Sequence, residues 1–145
     1  MVPTCRIAPT VTDVAASLKR VPLFAELNGR QLKKLGAHFR ERSFEPGTSV
    51  VQEGTMSGIG FFVIVDGEAE VRIGEKTVGN LSAGDHFGEM ALISEVERMA
   101  TVRAVTQLRC LEIPFWDFRE FALQNADVTW KLLQHVVEVL SAERS

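Results

Sequence analysis

No stretch of this sequence is apolar for the roughly 20 residues that a bilayer-crossing helix needs. The longest apolar run, Ile59 to Val65 with Gly60 inside it, has the length of a buried strand. Cysteine is scarce: Cys5 and Cys110 are the two in 145 residues, too few for a disulfide framework. Met1 to Thr12 lacks the charged-then-apolar order of a secretory signal, so the cytoplasm is the expected location, with no membrane partner. Positive charge is not in surplus. The formal net charge is −3, which gives no general attraction to a nucleic-acid backbone or an anionic membrane. Also missing are a Gly-x-Ser-x-Gly elbow and a phosphate loop ending in Gly-Lys-Ser/Thr. No catalytic set is visible, so no enzyme activity is expected.

What is present suits one domain spanning residues 1–145, with residues 1–10 expected to form a mobile tail. Val11 to Arg20 reads as a short amphipathic helix, broken at Val21-Pro22-Leu23-Phe24. A second helix is predicted from Asn28, whose side chain can accept from first-turn N–H groups while Gln31 reaches back. Leu32 and Leu35 supply its inward face. From Arg42 to Ile113 the pattern changes to short apolar segments punctuated by glycine, as in a many-turned β domain. Phe61–Val65 and Ala69–Ile73 flank Asp66-Gly67 and predict a tight hairpin. Thr77–Leu81, Thr101–Val105 and Leu108–Ile113 have strand length and β-branched content. The expected fold is mainly β, an antiparallel barrel or jelly roll with flanking helices. Pro114 suits the first turn of a helix bearing Phe115, Phe118, Phe121 and Ala122. Asp127 suits the N-cap of a last helix running to about Ala142, with Leu133, Val136, Val137 and Leu140 as its apolar stripe.

The segment richest in chemistry is Phe87-Gly88-Glu89-Met90-Ala91-Leu92-Ile93, followed by Arg98-Met99-Ala100-Thr101-Val102. A turn entering a short helix points free backbone N–H groups outward, a setting for an anion. Arg98, returning before a strand, can close on the same anion through a charge-assisted contact. Glu89 is out of place beside an anion unless it serves another group, and a sugar hydroxyl that donates to it fills that role. An anion, a hydroxyl-bearing sugar and a barrel pocket describe a nucleotide whose phosphate and ribose lie close together.

This segment resembles the phosphate-binding cassette of the cyclic nucleotide-binding domain family, which includes the sensor domains of cAMP-dependent kinase regulatory subunits and catabolite activators. Val21-Pro22-Leu23-Phe24, Phe44-Glu45-Pro46-Gly47, Glu53-Gly54, Ile64-Val65-Asp66-Gly67 and Ala83-Gly84-Asp85 stand in that family's order and spacing, so the resemblance covers about Leu18 to Leu140. It implies that Glu89 accepts from the ribose 2′-hydroxyl and Arg98 pairs with an exocyclic phosphate oxygen. Backbone N–H groups of Ala91, Leu92 and Met99 complete the phosphate cradle, Gly88 lets the chain approach the ribose, and Met90 and Ala100 belong to the same site. Family members with a cGMP preference often carry threonine where this chain has Met99, whose thioether is a weak acceptor, so cAMP is the expected ligand.

Other readings accompany these. Glu89 alone reads as a helix-start carboxylate and Arg98 as a solvated arginine, while Thr101 reads equally as a ligand-binding residue whose hydroxyl reaches the nucleotide and as an ordinary strand residue. Trp130, Leu133 and Val137 are either lid residues over the base or core and dimer contacts. A homodimer through Leu133, Val136 and Leu140 follows from the family's use of its final helix. A small β-barrel with His86 and Glu89 also resembles metal-dependent cupins. Such a site needs clustered histidines, and His38 and His135 fall in predicted helices, so no metal or resident cofactor is expected. Direct DNA binding would need a helical module after the last helix, where the chain stops at Ser145. The alternative to a nucleotide sensor is a domain that has lost its ligand and docks an effector protein, with Glu97 and Met99 as the departures that favour it.

Overall fold

The computed structural model describes residues 14–52, 60–88 and 100–144. Helix α1 (Val14–Lys19) leads into a 3-10 turn at Pro22–Phe24, where the proline break was predicted. Helix α2 (Gly29–Gly36) starts at an Asn28 cap: Asn28 Oδ1 accepts from the Gln31 N–H at 2.8 Å, and Gln31 Oε1 accepts from the Asn28 N–H at 2.9 Å. This is the reciprocal pairing expected from the sequence. Leu32 and Leu35 are buried beneath it.

Among the described residues eight strands follow: β1 (Arg40–Phe44), β2 (Ser49–Val51), β3 (Gly60–Asp66), β4 (Glu68–Ile73), β5 (Lys76–Ser82), β6 (His86–Phe87), β7 (Thr101–Ala104) and β8 (Leu108–Pro114). They make two four-stranded antiparallel sheets in the orders β1-β8-β3-β6 and β2-β7-β4-β5. The sheets are not closed on each other, so the fold is the jelly-roll form of the expectation rather than a barrel. Helices α3 (Phe115–Gln124) and α4 (Ala126–Arg144) complete the chain.

Strand β3 explains the layering. Phe61 and Val63 face the helices, packing with Phe24, Leu35, Leu111, Ile113 and Phe121. Phe62 and Ile64 point the other way into the sandwich, with Val51, Ala69, Val102, Leu108 and Cys110. Both faces of the strand are covered, hence its unbroken apolar sequence.

The predicted hairpin between Phe61–Val65 and Ala69–Ile73 does not form. β3 pairs with β8 and β6, whereas β4 pairs with β5 and β7, so Asp66-Gly67 carries the chain from one sheet to the other. The β7–β8 connection captures the chain there: Glu68 N–H donates to Thr106 Oγ1 at 3.0 Å, and Val105 N–H donates to Glu68 O at 2.9 Å. The hairpin that does form joins β4 and β5 through Gly74, with Ile73 opposite Lys76.

At the C-terminal end Pro114 closes β8 and caps α3 rather than sitting within its first turn. Likewise α4 begins at Ala126, which puts Asp127 inside the first turn instead of at the cap. His38 lies just beyond α2, against the Phe121 ring at 5.3 Å, rather than within a helix.

Candidate ligand-binding site

In chain order the nucleotide-type segment connects a strand of one sheet to a strand of the other. It leaves β6, the edge of the first sheet, and returns as β7, an interior strand of the second. At its start Gly88 has φ +88°, a backbone conformation that L side chains rarely adopt. Ala100 and Thr101, both half-buried, lie at the return. Glu89, Met90, Ala91, Leu92, Arg98 and Met99 lie outside the described residues, as does Glu97.

The strands that bracket this segment in the chain, β6 and β7, both contribute to the sandwich interior. Phe87 stacks on Phe62, with ring centroids 4.9 Å apart and planes 9° from parallel. On the second sheet Ala69, Val102 and Ala104 face the same interior, with Val71 and Leu81 partly buried beside them. Gly79, opposite Val71, leaves that wall shallow. Alternation then assigns Thr101 to the other face of β7, where it is the partner of Arg72 across β4 and shares a side with Arg103. On that outer face Arg103 donates to Glu70 Oε2 through Nε at 2.9 Å and Nη2 at 2.6 Å. These bonds hold the Glu70 carboxyl below the usual carboxylate range.

The sandwich interior also holds a charge. Glu112 is 4% exposed, lies opposite Phe62 on β8, and pairs with Arg42 Nη1 at 2.5 Å and Arg40 Nε at 3.5 Å. The Arg42 guanidinium in turn lies 5.1 Å from the centre of the Phe44 ring. Neither this pair nor the Phe62–Phe87 stack was anticipated. A lone glutamate in the apolar stretch Leu108–Pro114 was the available signal.

Helix α4 packs on α3 and on the 3-10 turn, with Val128 and Leu132 buried among the helices. Trp130, Leu133 and Val137, the lid candidates, are exposed. Leu133 and Val136 line an apolar groove of about 390 Å³ with Leu23, Phe118 and Leu123, and Leu140 is exposed farther along the helix. Among the described residues no three His, Cys, Asp or Glu side chains gather as a metal site, and no helix is long and apolar enough to cross a membrane.

The chain is similar in sequence and in fold to known proteins. The chain is 42% identical over 94 residues to the cAMP-dependent protein kinase regulatory subunit of Yarrowia lipolytica, covering 63% of this chain and 25% of that protein. The regulatory subunit of Eremothecium gossypii is 36% identical over 124 residues, which is 85% of this chain and 24% of that protein. The chain thus spans about a quarter of these relatives' length. Among solved structures, the N-terminal domain of a transcriptional regulator from Streptomyces coelicolor A3(2) superposes with a TM-score of 0.81 at 25% identity, over 88% of this chain and 94% of that one. The profile of the cyclic nucleotide-binding domain matches residues 41–125, from β1 through α3. With the jelly roll and the sheet-to-sheet segment already in place, that match makes this chain a member of the cyclic nucleotide-binding domain family.

Proposed function

We propose that the chain is a non-catalytic sensor that binds cAMP in preference to cGMP, and that binding shifts the packing of its C-terminal helices. The observation that carries this is the sheet-to-sheet segment. It begins at a left-handed Gly88 beside a stacked aromatic pair and carries Glu89 and Arg98 at the family's spacing. In this reading the phosphate rests on the segment's backbone N–H groups and Arg98, and the ribose 2′-hydroxyl donates to Glu89. The base lies toward Val71 and Leu81 on the shallow wall of the second sheet. Met99 offers the guanine edge no hydroxyl, which favours adenine.

Regulation follows from where α4 is attached. The helix continues from α3, and α3 follows β8 without a linker. A ligand that prefers one packing of these helices then shifts their population, transmitting its presence to a partner protein or to a second copy through Leu133, Val136 and Leu140.

Calorimetric titration of the wild-type chain with cAMP and with cGMP tests the proposal. One cAMP per chain, bound more tightly than cGMP, is expected. Absence of binding to either nucleotide at near-millimolar concentration in folded protein would instead favour a domain that has lost its ligand and docks an effector.

A further inference from the structure

The inner face of the first sheet contains one continuous row of partners: Arg40 opposite Glu112, Glu112 opposite Phe62, and Phe62 opposite Phe87. The row crosses all four strands and ends one residue before Gly88. Strand β6 is only two residues long and, among the described residues, pairs with β3 alone, so this row is the described connection between the sheet and the start of the ligand segment.

At the other end of the row the Glu112 carboxylate is buried, whereas its partners Arg40 and Arg42 keep 63% and 41% of their side chains exposed, and a buried carboxylate is unexpected on stability grounds. Replacing a buried ion pair by well-packed apolar residues is often neutral or stabilising, whereas removing one partner strands a charge. The pair does give direction. Glu112 Oε1 holds Arg42, Arg42 lies over the Phe44 ring, and Phe44 meets the Phe62 ring edge-on at 6.4 Å. Phe62 is therefore set by Phe44 on one side and by Phe87 on the other. Gly60 contributes as well, since a β-carbon there would lie 3.2 Å from Glu112 Oε2.

We propose that Glu112 and Arg42 are positioning residues for the nucleotide site, fixing the Glu112–Phe62–Phe87 row that places Gly88 at the start of the ligand segment. This deepens the sensor reading above and rests on it. The pair touches no ligand itself. It restricts where the Phe87 ring and the following turn can sit.

The test uses the double variant R42M/E112L and the control Glu41→Gln. The control breaks the 2.7 Å Arg109–Glu41 pair between the same two strands, on the opposite face of the sheet. Each protein is followed by thermal denaturation, by cAMP calorimetry and by the backbone amide resonance of Gly88 without ligand. The double variant is expected to be about as stable as wild type, because apolar groups replace the pair. Its cAMP affinity should nevertheless fall about tenfold, the scale of one displaced charge-assisted hydrogen bond, and its Gly88 resonance should shift. The control should keep both. A stable double variant with wild-type affinity and an unmoved Gly88 resonance would overturn the proposal while leaving the sensor reading intact. If wild type binds no cyclic nucleotide, the sensor reading fails instead and the Gly88 resonance alone decides whether the pair positions the turn: a shift in the double variant supports it, and none overturns it.

Discussion

Gln31 Nε2 donates to Asp127 Oδ2 at 2.7 Å, joining the first turn of α2 to the first turn of α4. The same side chain's Oε1 accepts from the Asn28 N–H and from Lys131 Nζ at 3.0 Å, and Lys131 also donates to Glu26 O at 3.2 Å. One buried amide therefore completes a helix cap and ties down the helix proposed to respond to ligand. Gln31→Ala removes both functions, and a loss of about 1–3 kcal/mol in urea denaturation is expected from a cap and two hydrogen bonds. A loss below about 0.5 kcal/mol would contradict this account of α4.

The Asp127 carboxyl is held below the usual carboxylate range, first by the Gln31 hydrogen bond and then by N–H groups of its own helix turn, against the opposing effect of desolvation. Its folded value lies below its unfolded one. The stabilisation is therefore present above the unfolded value of about 3.9 and is lost as pH falls through the folded value. Asp127→Asn should be less stable than wild type near neutral pH, and the gap should close as the solution is acidified below about pH 4. An equal gap at both extremes would remove the ionised carboxylate from the explanation.

Burial pushes the Cys110 thiol up to about 12. In a Cys5→Ser background the folded protein should resist alkylation near pH 8, when an exposed thiol is partly ionised, and should react on addition of denaturant. Rapid labelling of the folded protein would contradict the placement of Cys110 inside the sandwich.

Gly67 and Gly47 both have positive φ, at +103° and +88°. A β-carbon at Gly67 would lie 2.3 Å from the Gln107 carbonyl oxygen, whereas one at Gly47 would meet nothing within 4 Å. Gly47→Ala should cost about 1–3 kcal/mol from backbone strain alone, and Gly67→Ala clearly more. Equal losses would mean that the close approach of the sheet crossover does not constrain Gly67.

These particulars show which parts of the molecule sequence patterns reach. The Asn28 cap and the Pro22 break depend on a few neighbouring residues and formed as the sequence implies. Asp66-Gly67 has an equally local signature, but such a pair specifies a turn and not which strand lies alongside afterwards. The deciding feature was the doubly apolar Gly60–Asp66 strand, which needs a layer on each face and separates β3 from β4. For the site, spacing singled out the segment from Gly88 to Thr101. The residues that support it come from distant parts of the chain: Phe62, Phe87 and Glu112 meet only through strand pairing. Gln31 read as a cap alone because its second partner lies 96 positions away.

The most direct measurement of the central claim is the cAMP affinity of Arg98→Ala, by calorimetry, beside wild type and Glu89→Ala, with each variant shown to be folded. If Arg98 pairs with the nucleotide phosphate, its removal should weaken binding by on the order of 10 to 150-fold, the scale of a charged hydrogen bond, and Glu89→Ala should also weaken it. A folded Arg98→Ala protein that binds cAMP as tightly as wild type would contradict the assignment of the ligand segment.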